Sequence, residues 1–288
     1  MTLSKVKIIQ TIEEMQQQSA AWRQQQLRIA FVPTMGNLHD GHCHLLEQAC
    51  QLADKVVLSI FVNPLQFAPN EDFATYPRTV EADLERIQHY DLGAVFLPSS
   101  EMLYPTPQEL TTTVYVPELS KQLCGISRPH FFQGVTTIVC KLFNIVTPHI
   151  AVFGKKDYQQ LAIIRRMTQE LNFPINIIGA EIQRETSGLA LSSRNQYLTK
   201  EEKQQALGLT QTLSHIAEKI KKGHSNYLEL EQDGLLALKE IGFSPDYVAI
   251  RQQSDLQPPQ HSATKLVVLG AATIGKARLI DNIELTLD

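Results

Sequence analysis

Short apolar runs alternate with amphipathic stretches along the first two thirds of the chain. Arg28–Pro33 (RIAFVP) and Val56–Val62 (VVLSIFV) read as buried strands, each a continuous apolar run rich in β-branched and aromatic residues. The first run breaks at Pro33 and Gly36. A helix is expected from about His42, with Leu45, Leu46, Ala49, Cys50 and Ala53 on one stripe. Glu81–Tyr90 is expected as a helix on Val80, Leu84 and Ile87, Ala94–Leu97 as a third strand, and Thr113–Val116 as a further extended piece. Gly134–Val146 predicts a packed helix ended by Pro148, followed by a strand at Ile150–Phe153. Asp157–Leu171 predicts a helix with Leu161, Ile164, Met167 and Leu171 inward, and Ile175–Ile178 closes the series as a strand. Strands alternating with helices of this length predict an α/β fold with a mostly parallel sheet and right-handed crossovers.

The pattern changes near residues 180–185. Two helical segments, about Lys200–Lys222 and Ser225–Ile241, precede strand-like runs at Asp246–Ile250, Lys265–Gly270 and Ala277–Leu279. This predicts a smaller α+β unit, with the boundary placed between residues 182 and 183. The glutamine clusters Gln16–Gln18 and Gln24–Gln26 fit a solvated helix face, and no internal repeat is visible.

With 43% hydrophobic and 19% charged residues in 288, the chain holds enough apolar material for a sizeable core, which excludes a disordered chain. Lys and Arg number 26 against 30 Asp and Glu, a net charge of −4, so broad binding to nucleic acid or a membrane surface is not expected. No run approaches the ~18 apolar residues of a membrane span. Met1–Gln18 lacks the basic segment and apolar run of a secretory signal. Cys43, Cys50, Cys124 and Cys140 show neither CxxC pairing nor zinc spacing, and are expected as buried free thiols in a reducing cytoplasm.

Four constellations carry chemistry. Pro33-Thr34-Met35-Gly36-Asn37-Leu38-His39-Asp40-Gly41-His42 lies where a strand gives way to a helix, the crest at which open α/β sheets bind ligands. A helix start offers unpaired N–H groups to phosphate, and Gly36 and Gly41 allow close approach. His39 and His42 share one side of the first turn and can stabilise a leaving phosphate by hydrogen bonds. A bare HxGH also fits a turn with capping histidines; its position after a buried strand favours function. His44 on the same helix has no partner motif. Leu191-Ser192-Ser193-Arg194-Asn195 supplies two hydroxyls and a guanidinium suited to phosphate. In Phe153-Gly154-Lys155-Lys156-Asp157, Lys156 can reach phosphate, while Asp157 fits an N-cap, a magnesium ligand or a ribose contact. Phe61-Val62-Asn63-Pro64-Leu65-Gln66-Phe67, with Glu71-Asp72 and Tyr76-Pro77-Arg78 beyond, places Gln66 at a strand end, as Gln160 stands near another. Amides orient a hydroxylated substrate without adding charge. Walker A, GxGxxG, GxSxG, HExxH and CxxC patterns are absent.

Read in order, PTMGNLHDGH, FVNPLQF…YPR, GVTTIVCKLFNIV, FGKKDYQQL, LALSSRNQYL and ARLIDN resemble the pantothenate synthetase (pantoate–β-alanine ligase) family, from about Ile29 to Asn282. The first segment also resembles the HIGH signature of the nucleotidyltransferase superfamily. The resemblance implies a Rossmann-like adenylating domain over residues 1–182, a C-terminal lid over 183–288, and a cytoplasmic homodimer. It implies ATP and (R)-pantoate giving pantoyl adenylate and pyrophosphate, then β-alanine giving pantothenate and AMP, with Mg²⁺ as cofactor. By the same resemblance Met35, Gly36, Asn37, Leu38, His39, Asp40, Gly41 and His42 line ATP, as do Gly154, Lys155, Lys156, Asp157, Gln183, Leu191, Ser192, Ser193 and Arg194. Gln183 is implied to act through its main chain. His39, His42, Lys156 and Arg194 are the catalytic set, with His42 protonating or stabilising the leaving group. Gln66 is implied to contact pantoate and β-alanine, and Gln160 pantoate. No protein metal-ligand cluster is implied.

Two departures from the family pattern stand out. Lys155 replaces a common Glu, adding positive charge expected to face the triphosphate. In Arg128-Pro129-His130-Phe131-Phe132, His130 replaces a Gly and Phe131 a His. Rival readings are a nucleotidyltransferase making a dinucleotide, which would not need the Gln66 and Gln160 pair, and a non-catalytic nucleotide-binding protein.

Overall fold

In the computed structural model, which describes residues 6–68, 73–107, 110–260 and 262–287, the first half is a six-stranded sheet. Its strands are β1 (Ile8–Ile9), β2 (Ile29–Thr34), β3 (Lys55–Ile60), β4 (Ala94–Phe96), β5 (Ile150–Gly154) and β6 (Asn176–Ala180). They lie in the order β1-β4-β3-β2-β5-β6, every pair parallel. From β2 the chain steps to β3 and β4 on one side, then returns to β5 and β6 on the other. The direction therefore switches between β2 and β5, and a crevice opens at their carboxyl ends.

Helices cover both faces, which is why the central strands are apolar on both sides. Phe31, Val57, Phe96 and Phe153 face α1 (Ile12–Gln24), α6 (Phe131–Val146) and α7 (Tyr158–Glu170). Val32, Leu58, Val95 and Val152 face α2 (Asp40–Leu52) and α3 (Val80–Ile87). Two single-turn helices, α4 (Ser100–Leu103) and α5 (Cys124–Ser127), lie in the long connection between β4 and α6.

The C-terminal unit joins α8 (Lys200–Lys221) and α9 (Tyr227–Glu240) to an antiparallel sheet of β7 (Ser244–Gln252), β8 (Lys265–Ile274) and β9 (Ala277–Thr286). One sheet face, with Val248, Ile250, Leu266 and Val268, packs on α8 and α9. From the other, Ala249, Val267 and Leu269 enter the core of the first half. The period-2 alternation of these strands thus binds the two units together.

Several expectations are corrected. Thr113–Val116 joins no strand; the Val114 N–H donates to the Thr137 hydroxyl and the Val114 carbonyl accepts from Thr136, so the segment is tied to α6. α2 begins at Asp40, because His39 caps it. α3 stops at Ile87 and buries Asp83, while Val80 is 37% exposed. α6 starts at Phe131, and α7 ends before Leu171, which is 49% exposed. The four cysteines are free, but burial holds for Cys124 alone among them. Gln16 and Gln17 do lie on the solvated face of α1. Glu71-Asp72 lie outside the described residues.

Candidate active site

After β2 the backbone turns through Gly36 at φ +80°; a Cβ there would meet Ile60 Cγ2 at 2.9 Å and Asp83 Oδ2 at 3.0 Å. Only glycine fits that turn. The next two amides are gripped by one carboxylate: Asn37 N–H donates to Asp83 Oδ2 (3.0 Å) and Leu38 N–H to Oδ1 (2.7 Å). His39 then caps α2, its Nδ1 accepting from Gly41 N–H (3.1 Å), while His42 Nδ1 accepts from His39 N–H (3.3 Å). The two rings lie 4.2 Å apart. A Cβ on Gly41 would stand 2.8 Å from the His39 ring, so this glycine makes room for the imidazole.

The amides of Asn37, Leu38, His39 and Gly41 therefore have protein partners, and the expectation of unpaired donors for phosphate is corrected at these positions. The donors pass instead to the rings. An amide donating to Nδ1 leaves the imidazole proton on Nε2. Burial, followed by the neighbouring His39 and Lys156, lowers His42 to about 3. Burial and Lys156 lower His39 to about 4. Both rings are neutral Nε2–H donors at pH 7, which favours His42 as a stabiliser of charge over a donor of a stored proton. Met35, Gly36, His39, Gly41 and His42 line the cavity at the crevice. Asn37, Leu38 and Asp40 do not: Leu38 is buried, and Asp40 turns outward to Arg86 (2.7 Å).

Across the cavity, Asn63 locks the turn Pro64–Gln66. Its amide donates to Gly134 O and Gln66 Oε1, both at 3.0 Å, and its Oδ1 accepts from Tyr104 Oη at 2.8 Å. The buried Gln66 side chain, its Oε1 accepting from Asn63, lines the cavity. Gln160 lines the same cavity, whereas its neighbour Gln159 is turned into the protein, holding the Leu119 and Gln122 carbonyls.

At the end of β5, Gly154, Lys156 and Asp157 line the cavity. Asp157 occupies the N-cap position of α7 without a side-chain capping bond, so the capping role is not made; its carboxylate lies 3.8 Å from Lys156 Nζ. Lys155 is the second correction to the phosphate reading. Its ammonium is directed away, into Glu284 of β9 (2.7 Å) and Glu181.

Gln183, Leu191, Ser192, Ser193 and Arg194 complete the wall. Gln183 O accepts from Leu191 N–H (2.9 Å), closing the loop that brings Leu191 against Gly41. Ser192 accepts from Arg194 N–H (3.2 Å), and Asn195 is buried, donating to Ala190 O (3.0 Å) and Glu185 (3.2 Å). Asn195 is thus a support of the loop. The cavity holds about 530 Å³, a volume suited to a nucleotide and a small acid. Its roof contains residues to which the sequence pattern gave no role in the site: Cys124, Tyr247, Lys276 and Arg278. Cys124 Sγ lies 3.1 Å from Tyr247 Oη and 3.4 Å from Arg278 Nη2, and Asp246 holds Arg278 Nε at 2.7 Å. These come together only when the second sheet docks, so no local spacing marks them.

A family model described as pantoate-β-alanine ligase matches residues 7–284. Pantothenate synthetase from Methylococcus capsulatus is 48% identical over 283 residues, covering 98% of this chain and 99% of the relative. The Pseudomonas putida protein of the same name is 50% identical over 280 residues, covering 97% and 98%. The crystal structure of pantothenate synthetase from Thermus thermophilus superposes with a TM-score of 0.88 at 40% identity, covering 96% of this chain and 99% of that one. Pantoate-β-alanine ligase from Francisella tularensis, solved in complex with β-γ ATP and β-alanine, gives 0.73 at 33% identity, with 96% and 97% covered.

Proposed function

The chain belongs to the pantoate–β-alanine ligase family and is an ATP-dependent ligase that forms pantothenate; we propose that it does so in the cavity between β2 and β5, with the residues described there. The carrying observation is convergence: His39, His42, Lys156, Ser192, Ser193, Arg194, Gln66 and Gln160, from four distant segments, line one cavity.

The pantoate carboxylate attacks the α-phosphorus of ATP. A carboxyl O–P bond forms, the bond to the bridging oxygen breaks, and pyrophosphate leaves with the electron pair. The carboxylate is already anionic, so this step needs positioning and charge neutralisation, with no base. The Nε2–H groups of His39 and His42, the Lys156 ammonium and the Arg194 guanidinium are placed to receive the growing charge. Ser192 and Ser193 add neutral donors. Gln66, held by Asn63, and Gln160 orient pantoate. The β-alanine amine then attacks the acyl carbon, loses a proton, and AMP departs. The cavity wall contributed by Leu191–Arg194 shields the mixed anhydride from water.

Magnesium fits this donor set in the way it binds nucleotides, through one carboxylate and substrate phosphates. Asp157, on the cavity wall and without a capping bond, would hold it. Bound there, the ion would neutralise phosphate charge. No cluster of three or more metal-binding side chains occurs among the described residues.

Residues 1–182 form the adenylating domain in this reading and 183–288 the lid. A homodimer is proposed on the family resemblance, to be measured by sedimentation. A cytoplasmic location fits four free thiols, and no described helix is long and apolar enough to cross a membrane.

Incubation with ATP, magnesium, pantoate and β-alanine tests the reading. AMP and pyrophosphate should appear only when pantoate is present. His42→Ala should slow single-turnover adenylation by more than about tenfold with the fold intact, as loss of one preorganised donor does. ADP, a dinucleotide product, or no turnover overturns the assignment, and wild-type adenylation in His42→Ala removes that residue from it.

A further inference from the structure

Strand β9 reaches across from the C-terminal unit to the turn that carries Lys156. The Asn282 side-chain amide donates to the Lys155 carbonyl (2.9 Å) and to the Lys156 carbonyl (3.0 Å), and the residue is 4% exposed. Two residues on, Glu284 faces the same way, as a strand's period of two requires. It takes the Lys155 ammonium at 2.7 Å and the Tyr158 hydroxyl at 2.9 Å. One residue before Asn282, on the opposite face of the strand, Asp281 is 3% exposed, binds Arg184 through both carboxylate oxygens (2.7 and 2.9 Å) and accepts from Thr210 (2.6 Å). Arg184 belongs to the loop that leads into Ser192–Arg194. One strand therefore touches both phosphate-facing segments by buried polar contacts. The turn Lys155–Asp157 has no side-chain cap at Gly154 or at Asp157.

We propose that Asn282 is a positioning residue for adenylation. By holding the Lys155 and Lys156 carbonyls it fixes the direction in which the Lys156 side chain enters the cavity, and the Lys155–Glu284 pair fastens the register of that contact. The inference rests on the reading of Lys156 as a phosphate contact. It also accounts for Lys155, whose charge secures β9 to the turn instead of meeting ATP.

The test is a cycle of Asn282→Ala and Lys156→Met, singly and together, followed by single-turnover adenylation and steady-state kinetics. Asn282→Ala should lower kcat/KM for ATP by about tenfold, with the pantoate KM within about twofold and the thermal midpoint within a few degrees. In the Lys156→Met background the same change should cost under about twofold, because the group it positions is gone. Full multiplication of the two losses, equal rises in both KM values, or wild-type kinetics in Asn282→Ala overturns the inference while leaving Lys156 in place. Wild-type adenylation by Lys156→Met overturns the phosphate reading itself, and this inference with it. If Asn282→Ala does not fold, Lys155→Met takes its place. A loss of about threefold in kcat/KM for ATP, absent in the Lys156→Met background, then supports the proposal, and its persistence there defeats it.

Discussion

At position 131 the ring of Phe131 lies beneath the Arg128 guanidinium, 3.8 Å from it, and meets Phe132 edge-on at 5.0 Å. Arg128 also donates to the Gln66 carbonyl at 3.1 Å, so the aromatic ring indirectly steadies the turn that presents Gln66. His130, next along the chain, is exposed, sits at the N-cap of α6 without a side-chain capping bond, and does not line the cavity. Its φ of −96° is ordinary, so no glycine is required there by the backbone. The arrangement favours Phe131 as an apolar wall over His130 as a substitute imidazole. His130→Ala should stay within about threefold of wild-type kcat/KM. Phe131→Ala should raise the pantoate KM by about three- to tenfold, or about 0.6–1.4 kcal/mol, which is within the range of a lost cation–π contact. Steady-state kinetics decide: a loss above tenfold in His130→Ala, with folding and ATP affinity unchanged, makes His130 the working imidazole.

Helix α3 reaches the crest through two side chains, Arg86 on the outward-turned Asp40 and Asp83 on the turn before it. Asp83, 2% exposed, accepts the two amides that shape Gly36–Leu38, so α3 determines where α2 begins and where its histidines point. Asp83→Ala leaves two amides unpaired, one of them in a buried residue. At about 1–3 kcal/mol for each buried unsatisfied group, it should lower the urea midpoint and also raise the ATP KM. Asp83→Asn, which keeps one acceptor, should fall between. A destabilised variant with unchanged ATP KM would show that α3 supports the fold without shaping the site. The crest was legible in the sequence because its reacting groups are contiguous and follow a buried strand. Asp83 was not, because an apolar period through Val80, Leu84 and Ile87 places it on a mixed face, and its partners lie 45 and 46 residues away. Lys155 misled for the same reason: the motif gives its place beside Lys156, but Glu284, 129 residues on, decides where its charge goes. The β7–β9 sheet was legible in its strands and not in its docking, which brings Tyr247 and Arg278 over the cavity.

For the molecule as a whole, burial of the crest histidines keeps their rings uncharged, and this ties global stability to pH. His39 and His42 are lowered from 6.5 to about 4 and about 3, chiefly by burial, and His149 is lowered too, by burial and then by Arg23 and Arg28. In the unfolded chain each takes up a proton near pH 6.5; in the folded protein the crest pair does so only near pH 4 or below. Between those values the unfolded state binds more protons, so stability rises with pH. The contribution is fully present above about pH 6.5 and is lost as pH falls toward the folded values. Each fully titrating histidine adds a slope of about 1.4 kcal/mol per pH unit. Urea unfolding at pH 7, 6 and 5 should therefore show a steepening loss, and the double variant His39→Asn with His42→Asn should show a shallower one over the same interval. Carboxylates released at lower pH are common to both proteins and cancel in the difference. Since both rings accept backbone amides through Nδ1, asparagine keeps an acceptor in the cap, and the comparison isolates protonation from the loss of the capping bonds. Equal slopes in the two proteins would mean that the crest histidines charge as readily folded as unfolded. Neutral Nε2–H donation to the triphosphate would then have to be abandoned in favour of imidazolium.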